Sequence, residues 1–264
     1  MILLALWQAA KVRMRQGWDS EADNWAKVAR TPGFDYAYET INLPALLGLL
    51  PAAGRRTLDL GCGEGRISRV LRQLGHQVVG ADASPAMVGY AISHPAAVPA
   101  VAGDGAALPF GDGTFDLVVA HLCLQDFDEM PKAVAEVSRV LMPAGRLCIA
   151  ITHPISTAGS FQGRHEPDAS FVITGSYLDP RPTQAPFTRG EVPLVFYSEH
   201  RPLQAYTKAL ESAGLLIEAL REVPASTAAV ERHPADRRWQ RIPMFLHLRA
   251  VKPYPAGSAA SVPP

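Results

Sequence analysis

Cysteine is scarce in this 264-residue chain: Cys62, Cys123 and Cys148 stand far apart, form no C-x-x-C pair and make an odd total. That excludes a disulfide framework and a cysteine-built zinc site, and it fits a reducing, cytoplasmic location. Net charge is missing too, since 25 Lys and Arg balance 25 Asp and Glu. With no global field, nucleic acid and anionic membranes are poor partners, and a small molecule is the expected one. No apolar run is long enough to span a bilayer; the N-terminal one, Met1 to Ala10, covers about ten residues. Its positive charges, Lys11, Arg13 and Arg15, follow the run, the reverse of a signal peptide, and Met14 is an alternative start. Pro253 to Pro264, rich in Pro, Ala, Ser and Gly, reads as a disordered tail.

From Thr57 onward, short apolar runs alternate with segments of helical period, the pattern of a parallel sheet covered by helices. Strands are predicted over 57–60, 77–81, 100–102, 115–120, 146–151, 216–222 and 244–251. Helices are predicted over 66–74, from Ser84-Pro85, over 130–141 and over 203–212, Ser84 serving as N-cap and Pro85 as first helical residue. Between 152 and 201 the periodicity fails. Phe161, Phe171, Tyr177, Phe187, Phe196 and Tyr197 lie there, and so many aromatics argue for an ordered lid. A second irregular stretch, 231–241, carries Arg232, Arg237, Arg238 and Arg241 and reads as a solvated loop. The expected organisation is an N-terminal segment, 1–56, covering the site, a core, 57–252, with the lid 152–201 inserted, and the tail.

The stretch Asp59-Leu60-Gly61-Cys62-Gly63-Glu64-Gly65-Arg66 places a carboxylate and three glycines where a buried strand turns into a helix. Such a turn presents free N–H groups and allows close approach of a ligand. A dinucleotide fingerprint needs its third glycine one residue later, where Arg66 stands. Asp59 repels a pyrophosphate and suits a ligand carrying an ammonium or sulfonium group. Asp82, 21 residues past Gly61, can accept both ribose hydroxyls of an adenosine, whichever cofactor carries it. Asp104 can accept from an adenine amino group or simply cap its own turn. From these residues alone, NAD and S-adenosylmethionine both remain open.

Leu58 to Gly65, Gly80-Ala81-Asp82-Ala83-Ser84-Pro85-Ala86-Met87, Gly103-Asp104-Gly105-Ala106-Ala107-Leu108-Pro109-Phe110, Phe115 to Ala120 and Val137 to Arg146 follow in that order. Together they resemble the class I S-adenosylmethionine-dependent methyltransferases, particularly the small-molecule branch that includes ubiquinone and menaquinone biosynthetic enzymes. The resemblance covers about residues 18–252. It implies an α/β, Rossmann-like sheet of seven mostly parallel strands with helices on both faces, the last strand antiparallel. It implies that Gly61, Cys62 and Gly63 wrap the methionine part of S-adenosyl-L-methionine, with Asp59 close by, that Asp82 holds the ribose, and that Asp104, Gly105 and Ala106 meet the adenine. Ala83 and Met87 would flank the adenine ring, and His121 would line the methionine side. Gly105 and Ala144 depart from the family pattern, and neither removes a charged contact.

The implied reaction is an in-line methyl transfer to a small, partly apolar molecule, with O-methylation ahead of C- and N-methylation. The protein then has mainly to align nucleophile, methyl and sulfur in a dry cavity, and a base is needed only where the nucleophile still carries its proton. His153 and His200 are the candidate bases, while His121 lies too near the cofactor. Trp25, Tyr36 and Tyr38 before the sheet and Tyr197 in the lid are the candidate acceptor-site residues, with Trp18 beside them. Asp126, Asp128 and Glu129 read as capping residues, so no metal is expected. After strand four the chain reads Ala120-His121-Leu122-Cys123, without the Asn/Asp-Pro-Pro-aromatic motif of base-methylating enzymes. Two other readings stay open: an NAD-dependent oxidoreductase, and a cofactor-binding protein without transfer activity. The sequence leaves the oligomeric state undetermined.

Overall fold

The computed structural model describes residues 14–54, 56–163 and 166–255. Residues 1–13, which precede the alternative start Met14, and all but the first residues of the expected tail lie outside them. Helical residues 14–20 lead into α1 (Ala22–Arg30), a π-helical turn (Tyr38–Asn42) and α2 (Leu43–Leu47). Then come β1 (Thr57–Leu60), α3 (Arg66–Gln73), β2 (Val78–Asp82), α4 (Pro85–Ser93), β3 (Ala100–Ala102), β4 (Phe115–His121), α5 (Met130–Val140) and β5 (Leu141–Thr152). After α6 (Pro154–Ala158) follow β6 (Gly159–Phe161), β7 (Phe171–Ile173), β8 (Arg181–Arg189) and β9 (Val192–His200). The chain ends with α7 (Leu203–Ser212), β10 (Leu216–Val223), α8 (Thr227–Arg232) and β11 (Phe245–Val251).

Seven strands form one sheet in the order β10-β11-β5-β4-β1-β2-β3. β1 pairs in parallel with β2 and β4, β2 with β3 and β4 with β5, whereas β11 runs antiparallel to both β5 and β10. This is the Rossmann-like sheet that the sequence pattern predicts. The central strands explain why the pattern is legible: β1 is buried along its length, as are Leu117 to Ala120 of β4, so β4 reads as a continuous apolar run and β1 as a short apolar strand interrupted by Asp59. Ser84 caps α4 by accepting from the Met87 N–H at 3.2 Å, as its sequence predicts.

Two stretches differ from expectation. The aperiodic stretch 152–201 contains two antiparallel hairpins, β6–β7 and β8–β9. Pro182 and Pro186 hide β8 in the sequence; in a two-stranded ribbon alternate N–H groups face outward, so prolines are tolerated there. The stretch 231–241 is largely solvent-exposed, as expected, but it is not a loop: it runs from α8 into a 3-10 segment (Pro234–Gln240) with Asp236 buried. Arg238 lies 5.2 Å from the Phe161 ring centre, and Arg241 donates to the Ala169 carbonyl at 3.2 Å. These guanidinium groups hold the β6–β7 region, which a one-dimensional charge count does not reveal.

Candidate functional site

A cavity of about 810 Å³ opens at the carboxyl ends of β1, β2 and β4, the edge where open α/β sheets bind ligands. Gly61 and Gly63 hold positive φ angles of 66° and 54° there. The two glycines do different work. A Cβ on Gly61 would lie 2.4 Å from Cys123 Cβ, so its absence lets the chain after β4 close on the turn. A Cβ on Gly63 would meet only Trp25 Nε1 within 4 Å, at 3.5 Å, in the space the cavity occupies.

Three carboxylates are fixed around this turn. Asp59, 1% exposed, accepts from Ser68 Oγ at 2.5 Å, and burial with the like charge of Asp82 pushes its carboxyl up to about 7. Asp82 accepts from the Gly63 N–H at 2.8 Å through one oxygen and from the Ser84 N–H at 2.9 Å through the other. Burial raises its pKa while those N–H groups favour the charge. Glu64 is the residue that sequence reasoning missed. It is 1% exposed and accepts from Arg30 Nε at 2.9 Å and from Arg69 Nη2 at 2.6 Å, tying α1 to α3. A Glu just before a helix looks like an ordinary first-turn acid, and nothing in the sequence shows that Arg30 reaches it.

Ala83, Met87, Asp104, Gly105, Ala106 and Cys62 line the same cavity. Asp104 accepts from the Ala106 N–H at 2.9 Å, so it caps its own turn while bordering the space. His121 also lines it, sharing its Nε2 with Asn42 Oδ1 at 2.9 Å; burial pushes its pKa well below the usual range, which keeps the ring neutral. Gln125, which lines the cavity, has its Oε1 buried with no hydrogen-bond partner among the described residues. This donor and acceptor set fits the cofactor implied by the resemblance: two buried carboxylates and an unpartnered amide oxygen accept, and the bare Gly63 turn leaves room for close approach.

Another part of the wall is aromatic. Trp18, Trp25, Phe34, Tyr38, Phe187 and Phe196 line it, with the Trp18, Trp25 and Phe196 rings 5.8–6.0 Å apart. Of the four residues expected to meet the acceptor, Trp25 and Tyr38 do line the cavity, and Tyr36 and Tyr197 do not. Tyr36 donates to Asp236 at 2.7 Å and stacks 4.0 Å from His233. Tyr197 lays its ring on Gly17, because strand alternation turns Phe196 and Ser198 inward and Tyr197 outward.

The two histidines expected as bases are likewise outside the lining. His153 caps α6, its Nδ1 accepting from the Ile155 N–H at 3.0 Å, and its Nε2 meets Glu222 Oε1 at 3.1 Å. His200 is fully buried, with Nδ1 2.7 Å from Thr157 Oγ1 and Nε2 2.9 Å from the Tyr177 carbonyl. Both rings spend their nitrogens on holding the lid. Asp126, by contrast, lines the cavity with Asp128 and Glu129, and burial raises its carboxyl well above the usual range against the opposing pull of Arg201.

Residues 58–149 match the model of the methyltransferase domain family. The chain is 36% identical over 129 residues to the malonyl-[acyl-carrier protein] O-methyltransferase of Pectobacterium atrosepticum, a match covering 48% of this chain and 47% of that one. It is 32% identical over 151 residues to an uncharacterized methyltransferase of Synechocystis sp., covering 54% of this chain and 71% of that protein. Among solved structures it is similar to an S-adenosylmethionine-dependent methyltransferase from Mesorhizobium loti, with 27% identity and a TM-score of 0.64 over 79% of this chain and 96% of that one. The chain spans about half the length of the first curated relatives it matches.

Proposed function

The chain belongs to the S-adenosylmethionine-dependent methyltransferases, and from that premise we propose that its cavity serves methyl transfer to a small, partly apolar acceptor, oxygen being favoured over carbon or nitrogen. The observation that carries this reading is that one continuous cavity has a carboxylate-bearing wall at the strand ends and an aromatic wall contributed by the N-terminal segment and the β8–β9 hairpin. When bound, S-adenosyl-L-methionine supplies a methyl group already activated by its sulfonium. Asp82 holds the ribose hydroxyls, Asp104 to Ala106 border the adenine, and Asp59 offers negative charge to the cationic end. The Trp18, Trp25 and Phe196 cluster excludes water and fixes the acceptor's position.

Where the acceptor carries a proton, Asp126, which lines the cavity, accepts it in its ionised form, which burial disfavours and Arg201 favours. His153 and His200 serve the lid instead. The segments 1–56 and 152–201 act as the cover of the 57–252 core. A cytoplasmic location belongs to the same reading, supported by three buried thiols with no disulfide among them. O-transfer is supported by the name of the Pectobacterium relative. The test is incubation with methyl-labelled S-adenosylmethionine and a panel of phenols, carboxylic acids and amines, read by mass spectrometry. Gain of one labelled methyl group on an acceptor is expected; a protein that binds NADH and not S-adenosylmethionine would overturn the reading.

A further inference from the structure

The inner face of the β8–β9 hairpin is graded along its length. Alternation and register place Thr183, Ala185, Phe187 and Arg189 of β8 on one face with Phe196 and Ser198 of β9, and all six line the cavity. At one end Thr183 Oγ1 and Ser198 Oγ lie 2.7 Å apart. In the middle Phe187 and Phe196 stack at 4.5 Å with an interplanar angle of 11°. Arg189 stands at the other end, where the hairpin turns.

The Arg189 side chain is held without being neutralised. Its Nε donates to the Phe34 carbonyl at 2.9 Å and its Nη1 to the Thr188 carbonyl at 3.4 Å. The next residue, Gly190, turns at φ 56° against the Phe34 ring, which pins the hairpin tip to the N-terminal segment. The guanidinium carbon lies 5.0 Å from the Phe187 ring centre. Among the described residues Arg189 makes no ion pair; of the other arginines that line the cavity, Arg66 is paired with Asp35 at 2.8 Å and set over Tyr38 at 3.6 Å, and Arg15 donates to the Ala83 carbonyl at 3.2 Å, beside the strand ends. Of the acidic residues that line the cavity, Asp59, Glu64, Asp82, Asp104, Asp126, Asp128 and Glu129 belong to the strand ends and the loops after them, and Asp35, on the N-terminal segment, is paired with Arg66. A fixed guanidinium beside aromatic rings, lacking an anion of its own, is a receptor for a planar oxyanion.

Resting on the reading of this cavity as an acceptor site, we infer that the acceptor is an aromatic acid, its ring set among Phe187, Phe196 and Trp25 and its anionic group held by Arg189. Arg189 then selects the substrate and takes no part in the bond exchange. The nucleophilic atom lies elsewhere on the ring, nearer the strand ends.

The test uses two probes of nearly equal shape, 4-hydroxybenzoate and 4-hydroxybenzamide, titrated calorimetrically into the full chain saturated with S-adenosylhomocysteine. The acid is expected to bind at least about tenfold more tightly than the amide, the worth of one charge-assisted contact. Arg189→Gln should bring the two within about twofold by weakening the acid alone, and Arg189→Lys should keep part of the preference. Equal binding of acid and amide to the wild type, a preference that survives in Arg189→Gln, or no binding of either probe overturns the inference. Failure of S-adenosylhomocysteine to bind sinks the cofactor reading separately, and the acid–amide ratio is then read in the free protein. Should Arg189→Gln fail to fold, the wild-type ratio and Arg189→Lys decide.

Discussion

Asp82→Ala is the most direct probe of the cofactor wall. In the folded protein each carboxylate oxygen already accepts one backbone N–H, from Gly63 at 2.8 Å and from Ser84 at 2.9 Å. Each therefore keeps a lone pair for one ribose hydroxyl. A hydrogen bond to a charged group contributes about 1.5 kcal/mol or more, so losing two weakens cofactor binding by about 3 kcal/mol, roughly 150-fold. Stability responds differently. The alanine orphans two N–H groups, but it also removes a carboxylate that burial disfavours, and the cavity admits water to the orphans. The unfolding free energy should change by no more than about 1 kcal/mol. Asp82→Asn separates the two effects, because its amide nitrogen must face one of the two N–H donors and pushes that segment away. Calorimetric titration with S-adenosylhomocysteine, beside urea unfolding of the same samples, checks both numbers. An Asp82→Ala protein that binds within fivefold of wild type while its unfolding midpoint stays put would refute the assignment.

Asp59 predicts a pH dependence of the ligand-free protein. Its folded pKa of about 7 lies above the ordinary 3.8, so its stabilising effect relative to Asp59→Asn is present below about pH 4 and lost as pH rises to about 7. The loss is of the order of 4 kcal/mol across that window, with no further change above it. Urea midpoints of both proteins at intervals from pH 4 to 8 measure it, and a pH-independent difference would show that Asp59 does not titrate there. His153→Ala should lower stability by about 1 kcal/mol through loss of the α6 cap, with little added by the contact to the largely exposed Glu222, and should leave turnover within twofold of wild type. A tenfold fall in kcat at an unchanged melting temperature would return His153 to the mechanism.

The sheet was legible from sequence because its central strands are buried on both faces and its helices begin with readable caps such as Ser84-Pro85. The carboxylate-bearing wall of the cavity was legible for a related reason. Asp59, Gly61, Gly63, Asp82 and Asp104 sit at strand ends and in the turns after them, where local chain geometry alone brings them to one edge of the sheet. The aromatic wall was not legible in that way. It is assembled from residues far apart in sequence, such as Trp25 and Phe196, whose rings meet 6.0 Å apart. Which aromatic of a neighbouring pair faces inward depends on strand register: alternation chose Phe196 over Tyr197 once Pro182 and Pro186 proved to lie in a ribbon. The histidines show the same limit. His153 and His200 stand at suitable points of the chain, yet their nitrogens are taken by Ile155, Glu222, Thr157 and Tyr177.

The sequence by itself therefore determined the sheet and the glycine turn at its carboxyl edge, where we propose the methyl donor binds, since both follow from short-range periodicity and from turns that need glycine. Only the tertiary structure decided which carboxylate is clamped by Arg30 and Arg69, which aromatics line the cavity, and that Arg189 stands among them without an ion pair to any described residue. Those facts depend on contacts between segments more than thirty residues apart, as in Arg30 with Glu64, and side-chain pairing over such separations is set by packing.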